Sequence, residues 1–287
     1  MKKIVFISDW GESSSDILKR YANQTPGNKG EWGAIKGVDT IEEADYIVVM
    51  DGVPANIQTK LDWSRVLYFH REPAFVKPYF MNHEFPTETF FVGTDKNHYC
   101  LPTWWINLPF DRLAKMAYPK KKRKISAITS GKTGYHTYDE RLAFLKNFIV
   151  DYPKLDIYGR GTSFFGDNWK GELNYNGNCK FLGMAPYEYS LVLENTYEPN
   201  TWTEKAADAI LSWSFPIYSG DSNFSSFFPE ASFLDIDVVN PNNAEIIEFI
   251  KEPPSKNQIE ALREARDLLL FKWNLWPEIE RIIKERS

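Results

Sequence analysis

The stretch LVLENTYEPNTWTEKAADAILSWSFPIYSG, from Leu191 to Gly220, decides how this chain folds. An apolar run ends in the carboxylate and amide of Glu194 and Asn195, and a polar loop then leads into a helix that begins near Thr203. A second short apolar run follows that helix and ends at a glycine. A strand, a polar loop, a helix and a strand in this order are typical of a nucleotide site at the carboxyl edge of a parallel sheet.

Apolar runs alternate with helical segments in both halves of the chain. This pattern predicts an α/β fold with two doubly wound, Rossmann-like domains that face each other across a cleft. The basic run KKKRK at 120–124 separates the halves, and we interpret it as a solvated linker rather than a polyanion patch. We therefore divide the chain into residues 1–118, residues 119–265 and a C-terminal helix, 266–287, that packs back toward the first domain.

Composition narrows the class of protein. The 287 residues carry a net charge of -5, which disfavours a nucleic-acid partner. Two cysteines, Cys100 and Cys179, cannot build a disulfide framework, so we expect a cytoplasmic location. The apolar run Ile4–Ile7 is too short for a signal peptide, and no segment has the apolar length of a membrane span. Histidines and cysteines show no zinc-ligand spacing.

Three short motifs in the second half point to other chemistry and fail on inspection. The GKT at 131–133 lacks the first glycine of a Walker A loop, because Ser126 stands there. The GRG at 159–161 lacks the third glycine of a dinucleotide fingerprint, because Phe164 stands there. The DID at 235–237 matches a metal-binding D-x-D, but it falls at the end of a late strand, so we predict no metal site.

Four segments of the second half together resemble the C-terminal donor motif of the alpha-1,3-fucosyltransferase family. They are LENT at 193–196, TEK at 203–205, FPIYSG at 215–220 and PEASFL at 229–234. The resemblance extends from about Ile125 to Val239 and is faint before that. It implies a soluble bacterial or viral type of member with a GT-B architecture, which transfers fucose from GDP-fucose to a glycan hydroxyl with inversion. It also implies that neither a metal nor a cofactor is needed beyond the nucleotide sugar.

Two cationic residues are candidates for neutralising the leaving diphosphate. Without a metal this task falls to side chains, and the site needs cations at the sheet edge. Lys205 lies near a helix N-terminus, where the helix dipole also favours an anion. Arg141 lies just inside the helix that follows the glycine loop. The resemblance gives both residues contacts with the donor phosphates, whereas a surface pairing with Asp139 or Glu140 is the alternative for Arg141.

The rest of the predicted donor site surrounds these two cations. In the family the residue matching Glu204 contacts the fucose ring, where it helps stabilise developing positive charge. Glu194 and Asn195 follow an apolar strand and either hold the ribose or order the loop. Thr203 and Tyr158, at a helix start and a strand end, complete the donor-binding set.

The general base and the acceptor contacts are expected in the first half. The segment RVLYFHREP at 65–73 resembles the family's short strand that ends in a Glu, which assigns the base role to Glu72. Asp9, at the end of the first predicted strand, is the reserve candidate and an acceptor contact. Trp104 and Trp105 are the further acceptor candidates, because indole faces pack against the C–H faces of sugars.

One departure from the family pattern keeps other functions open. Thr201 stands where the family has an aromatic residue, and the adjacent Trp202 replaces an aliphatic one, so Trp202 is a further candidate for a sugar contact. The donor is then either GDP-fucose or another nucleotide sugar, such as a different GDP-sugar or a UDP-pentose. A catalytically inactive glycan-binding protein is the third hypothesis. The sequence assigns neither the acceptor glycan nor an oligomeric state.

Overall fold

The computed structural model describes residues 1–69, 104–173 and 180–286 with their side chains, and residues 90–92 by their backbone. Within these ranges a first sheet has the strand order β2-β3-β1-β4-β5-β6. Its strands are β1 Lys2–Ile7, β2 Glu31–Trp32, β3 Ile35–Gly37, β4 Tyr46–Met50, β5 Val66–Phe69 and β6 Phe90–Val92. All pairings are parallel except that of β2 with β3. The strands that follow β1 in the chain lie on opposite sides of it, β3 on one side and β4 on the other. The carboxyl ends of β1 and β4 therefore border a crevice.

A second sheet lies in the other half and is parallel in every described pairing. Its strand order is β11-β10-β9-β7-β8. The strands are β7 Arg123–Ile128, β8 Asp156–Tyr158, β9 Tyr187–Leu193, β10 Phe215–Ser219 and β11 Leu234–Asp235. The order reverses between β7 and β9, and such a switch point is where ligands bind in open α/β sheets. The prediction of an α/β fold with two parallel sheets is confirmed.

Helices cover the sheets, which is why central strands such as YIVVM of β4 and FPIYS of β10 are apolar along almost their whole length. The described helices are α1 Ser14–Ala22, α2 Ala55–Gln58, α3 Phe110–Lys115, α4 His136–Asp151, α5 Lys180–Met184, α6 Glu204–Leu211, α7 Asn243–Phe249, α8 Lys256–Phe271 and α9 Leu275–Arg286. In the part of the chain described, no helix is long and apolar enough to cross a membrane.

The last helix packs on the first sheet. Trp276 is fully buried, and its ring meets the edge of Phe6 of β1 at a centroid distance of 5.5 Å. Its indole nitrogen donates to the carbonyl of Tyr21 at 2.9 Å, and Glu280 accepts from the backbone nitrogen of Ala34 at 2.7 Å. The division of the chain at 118/119 and 265/266 stays a prediction.

The basic run at 120–124 is only in part the solvated linker that the sequence predicted, because Lys120, Lys122 and Arg123 are exposed whereas Lys121 and Lys124 are partly buried. Lys121 is half-buried and donates to the carbonyl of Ala185 at 2.9 Å, and burial lowers the pKa of its ammonium group to about 7. Arg123 and Lys124 already belong to β7 and pair with acidic residues. The cause is that the run enters the sheet at once, so its polar side chains must find partners there.

A single guanidinium joins elements from both halves. Arg266 of α8 is buried and donates to the carbonyls of Leu113 at 2.7 Å and Ile210 at 3.3 Å. Its charge also lies 4.3 Å from the ring centroid of Trp213. Because the last carbonyls of a helix have no partner inside the helix, this arginine caps the ends of α3 and α6 together.

Candidate active site

A charged cleft of about 470 Å³ lies at the switch point of the second sheet. The loops after β7, β8 and β9 border it, together with the first turn of α6. Its lining includes Trp105, Arg141, Lys180, Asn195, Glu204 and Lys205. Four of these six were predicted as donor-binding residues from the sequence.

The glycines of the two rejected motifs have a packing role at this edge. A Cβ added at Gly131 would lie 2.0 Å from the carbonyl oxygen of Gly161, and one added at Gly159 would lie 1.6 Å from that of Thr129. Gly159 also has a φ of +138°, a backbone conformation that residues with a side chain rarely adopt. The GKT and GRG loops therefore lie directly against each other, and the backbone nitrogen of Gly131 donates to the carbonyl of Arg160 at 2.8 Å.

Arg141 is buried beneath the loop that follows β7. Its guanidinium donates to the carbonyl and hydroxyl oxygens of Ser130, at 3.2 and 3.0 Å, and to the side-chain oxygen of Asn195. Its charge lies 4.7 Å from the ring centroid of Tyr138. Burial lowers the pKa of Arg141 from its ordinary value, and its Nε has no hydrogen-bond partner among the described residues. The surface pairing with Asp139 or Glu140 does not occur; Arg141 lines the cleft instead.

Lys205 is held by a carboxylate behind it. Glu194 is completely buried, and it accepts from Lys205 Nζ at 3.2 Å and from the backbone nitrogen and hydroxyl of Thr203 at 2.9 and 2.7 Å. The Thr203 hydroxyl in turn caps α6. Burial opposes the charge of Lys205, but Glu194 and Glu204 outweigh burial and raise its pKa. Of the two roles predicted for Glu194, the arrangement matches the ordering of the loop, since none of its side chain reaches the cleft.

Glu204 lies between two lysines at the start of α6. Lys180 of α5 approaches its carboxylate at 3.4 Å. Burial disfavours the charge of Glu204, but Lys180 and Lys205 outweigh burial and lower its pKa to about 2. Glu204 is therefore a permanent anion on the cleft wall. Its charge suits the stabilisation of a positive charge that develops in a bound sugar.

Lys180 and Asp208 are functional candidates that the sequence analysis missed. Lys180 Nζ lies 3.0 Å from the buried carboxylate of Asp208, one helical turn after Glu204 on the same face of α6. Burial raises the pKa of Asp208 to about 6, although Lys180 and the backbone N–H of Trp105 favour its charged form. The sequence signal for Asp208 was its spacing of four residues from Glu204 on α6. No sequence signal indicated Lys180, because α5 follows a Gly- and Asn-rich stretch.

Trp105 connects the two halves of the molecule. Its backbone nitrogen donates to Asp208 at 2.7 Å, and it lines both the charged cleft and a second cavity of about 420 Å³ beside α1. Trp104 is buried, and its indole nitrogen donates to the carbonyl of Leu108 at 3.1 Å. Its side chain also lines that second cavity. Asp9 is exposed and lines a third cavity, of about 490 Å³, at the carboxyl end of β1. The predicted acceptor residues thus line two different cavities.

Other predicted residues lie away from the cleft. Trp202 is fully buried against Phe228, with ring centroids 4.9 Å apart, so the predicted sugar contact is wrong: an aromatic core surrounds this indole. The hydroxyl of Tyr158 bonds that of Tyr187 at 2.9 Å, and its side chain does not line the cleft. Glu72 lies outside the described residues, as do the two cysteines.

The DID motif at 235–237 has a local structural role. Asp237 accepts from the backbone nitrogens of Val239 and Asn240 at 2.8 and 3.2 Å, which orders the turn after β11. Among the residues described, no group of three or more His, Cys, Asp or Glu side chains could hold a metal.

Solved structures of similar fold include those of an alpha1,3-fucosyltransferase and of T4 phage BGT. A crystal structure of alpha1,3-fucosyltransferase matches with a TM-score of 0.52 at 17% identity, over 92% of this chain and 81% of that chain. The same enzyme with GDP gives a TM-score of 0.51 at 18% identity, over the same shares of the two chains. A point mutant of T4 phage BGT in complex with UDP-glucose matches with a TM-score of 0.53 at 10% identity, over 97% of this chain and 98% of that chain. At these identities the matches establish the fold.

The two parallel-sheet units, with a charged cleft at the second switch point, match the GT-B fold of these structures. In the second half, residues 118–258 match the family described as Glycosyltransferase family 10 (fucosyltransferase) C-term, which supports a glycosyltransferase. Among curated proteins, no sequence matches the chain. The predicted resemblance and the predicted enzyme class are confirmed.

Proposed function

We propose that this protein transfers fucose from GDP-fucose to a hydroxyl group of a glycan acceptor, in one inverting step without a metal. The observation that carries the proposal is the meeting of Arg141, Lys205 and Glu204 in one cleft of a family 10 domain. Two cations match a leaving diphosphate, and one permanent anion matches the sugar ring on which positive charge develops. The alpha1,3-fucosyltransferase of the same fold also has a structure with GDP.

Arg141 and Lys205 neutralise the diphosphate in this mechanism. Both are fixed before the donor arrives, because Ser130, Asn195 and Glu194 hold them, so little reorganisation accompanies the reaction. Asn195 lines the cleft and contacts the donor, as the sequence predicted. Tyr158 does not line the cleft, and its role is to support the loops behind it.

Glu72 serves as the general base that takes the proton from the acceptor hydroxyl, and Asp9 is the reserve. Replacing Glu72 by Gln should lower the transfer rate by about 10²- to 10⁴-fold, the usual contribution of a positioned base. The affinity for GDP should not change. A Glu72→Gln protein that transfers at the normal rate would reject this role. We also propose a cytoplasmic location, supported by the two cysteines.

The function is tested by measuring nucleotide release from GDP-fucose, GDP-mannose and UDP-xylose, each with EDTA and with Mg²⁺. We expect GDP release from GDP-fucose alone, at equal rates with and without the metal, and an α-linked product by NMR. Release of UDP alone would keep the enzyme class and replace the donor.

Another donor is the second candidate function, and a specific observation favours it. Thr201, which stands at the position of the family's aromatic residue, is fully buried. An aromatic contact with the donor at that point is therefore absent from the described part of the chain. An inactive glycan-binding protein is less well supported, because Arg141, Glu204 and Lys205, the charged residues that the family resemblance assigns to the donor, are all present in the cleft. No release from any of the three donors would favour it.

A further inference from the structure

Asp208 is a completely buried carboxylate on the second turn of α6, and it does not itself line the charged cleft. Its two oxygens face different partners. One accepts from the backbone nitrogen of Trp105 at 2.7 Å, and the other lies 3.0 Å from Nζ of Lys180. Because Asp208 is not exposed to the cleft, any part that it has in the reaction is exerted through its neighbours.

On one side, Asp208 is joined to the residues that contact the donor. It lies one helical turn after Glu204 on the same face of α6. Glu204 and Lys205, in the first turn of this helix, both line the cleft. Residues 206–211 of the same helix are all buried, so the helix is packed as one rigid element. A ligand that fixes the first turn of α6 therefore fixes Asp208 as well.

On the other side, Asp208 is joined to the first half of the molecule. The segment 104–107 lies beside α1, where the Arg20 guanidinium is 5.6 Å from the ring centroid of Trp105. Gln24, just after α1, donates from Nε2 to the carbonyl of Trp104 at 3.5 Å. The hydrogen bond from the Trp105 backbone to Asp208 thus fastens this segment, and α1 with it, to the helix that carries the donor residues.

We propose that Asp208 is a positioning residue that couples the donor cleft to the first half. The proposal rests on the proposed function and deepens it: a nucleoside diphosphate in the cleft holds the first turn of α6, and α6 holds Trp105 through Asp208. Asp208 then determines where the first half, which is proposed to supply the general base, stands relative to the sugar that is transferred. Coupling between two sites typically changes an equilibrium about 5- to 150-fold.

The test uses variants of the full chain that separate the two contacts of Asp208. Asp208→Ala removes both. Asp208→Asn keeps an amide oxygen for the Trp105 N–H, because Lys180 also pairs with Glu204 at 3.4 Å and does not need that oxygen. Lys180→Met removes the charge beside Asp208 and leaves the Trp105 contact. Asp39→Ala, which replaces an exposed aspartate, is the control.

Circular dichroism and melting temperature establish that each variant is folded. Should Asp208→Ala unfold, Asp208→Leu takes its place, because an apolar side chain of similar volume often replaces a buried charge without loss of stability.

The first measurement is hydrogen exchange of the Trp105 amide, with and without GDP at 100 times its dissociation constant. We expect GDP to slow this exchange at least about fivefold in the wild type, Asp208→Asn, Lys180→Met and Asp39→Ala, and to leave it unchanged in Asp208→Ala. Amides in the first turn of α6 should be protected in all five proteins, which shows that GDP is bound.

Three results would overturn the coupling. They are no protection of Trp105 in the wild type, equal protection in the wild type and Asp208→Ala, and loss of protection in both Lys180→Met and Asp208→Asn. The last result would assign the effect to the buried ion pair and not to the contact with Trp105.

The second measurement is GDP release from saturating GDP-fucose with water as the acceptor, together with the affinity for GDP by calorimetry. Asp208→Ala should bind GDP within about twofold of the wild type and release it about 10- to 100-fold more slowly, because the first half is misplaced. Asp208→Asn should restore the rate, and a normal rate in Asp208→Ala would refute the positioning role.

The two proposals fail in different ways. A protein that binds UDP and not GDP refutes the proposed donor, and the exchange measurement with UDP then decides on Asp208. Normal GDP binding and normal GDP release by Asp208→Ala refute the role of Asp208 and keep the donor. Binding of neither nucleotide refutes both.

Discussion

The carboxyl edge of the second sheet and that of the first sheet are built in opposite ways. At the second edge the charges are buried and paired: Glu194 with Lys205 at 3.2 Å, and Asp208 with Lys180 at 3.0 Å. At the first edge, in its described part, Asp51 is buried, whereas Asp9 is exposed and borders a cavity of about 490 Å³. Buried charges fix the geometry for one ligand, whereas an open edge leaves room for ligands of different shapes. On the proposed function, the second edge is a rigid donor edge and the first edge is a permissive acceptor edge.

Lys205→Ala should break the donor edge most severely. We expect the transfer rate to fall about 10²- to 10³-fold, because a preorganised charge that faces the phosphates is lost. The free energy of unfolding should also fall by about 3–5 kcal/mol, because the buried Glu194 carboxylate is left unpaired. Steady-state kinetics and urea unfolding measure the two effects. Lys251→Ala, which removes an exposed lysine paired with Glu248, is the control and should change neither.

Lys180→Met should have the next largest effect, and it acts through Glu204. Without Lys180 one of two cations that lower the pKa of Glu204 is gone, so this pKa rises from about 2 toward its ordinary range. The wild type keeps Glu204 ionised at mildly acidic pH, and the variant does not. The transfer rate of the variant should therefore fall as the pH is lowered from 6 toward 4, about 10-fold more than that of the wild type. Parallel profiles for the two proteins would show that Lys180 does not act on Glu204.

Asp208→Asn tests whether burial of the Asp208 carboxylate destabilises the folded state. The folded pKa of Asp208 is raised to about 6 from an unfolded value of 3.8, so the folded state binds the proton more tightly between these values. The wild type therefore loses up to about 1.4 kcal/mol of stability for each unit that the pH rises through this window, and the variant does not. The stability of Asp208→Asn relative to the wild type should rise from pH 4 to pH 6 and level off above. Urea unfolding across pH 4–7.5 measures this, and a pH-independent difference would contradict the raised pKa.

Asp9→Asn should have the smallest effect, because the acceptor edge is open. Replacing an exposed side chain usually changes the free energy of unfolding by no more than about 0.5 kcal/mol, and the transfer rate should stay within about twofold. Thermal melts and transfer assays check both expectations. A large loss of transfer with normal GDP binding would instead give Asp9 the role of the base and remove it from Glu72.

The sequence predicted that Arg141, Asn195, Glu204 and Lys205 meet at one sheet edge, because the information for this grouping is local. Glu194, Thr203, Glu204 and Lys205 fall within one strand–loop–helix unit, so their spacing alone places them at one sheet edge. The position of Arg141 near the start of α4, which begins at His136, could be predicted for the same reason. The α/β fold followed from apolar runs that recur along the whole chain.

The features that escaped prediction depend on distant contacts. The hydrogen bond from Trp105 to Asp208 joins residues 103 positions apart, and no local pattern encodes it. Lys180 lies in a five-residue helix, too short for a periodic signal. An aromatic residue beside a motif suggests a sugar contact at Trp202, whereas the burial of this indole comes from phenylalanines of a later loop. Local patterns thus predict the residue types of the site and miss the contacts that hold its two halves together.

The packing of Trp276 against Phe6 and Tyr21 has a consequence during synthesis. Its hydrogen bond to Tyr21 joins residues 255 positions apart, so the two partners leave the ribosome far apart in time. At about 5–20 residues per second, the first sheet waits roughly 13–50 s for this indole. During that interval β1 and α1 expose the apolar surface that α9 later covers. The packing of the first half is therefore completed only after α9 has been translated.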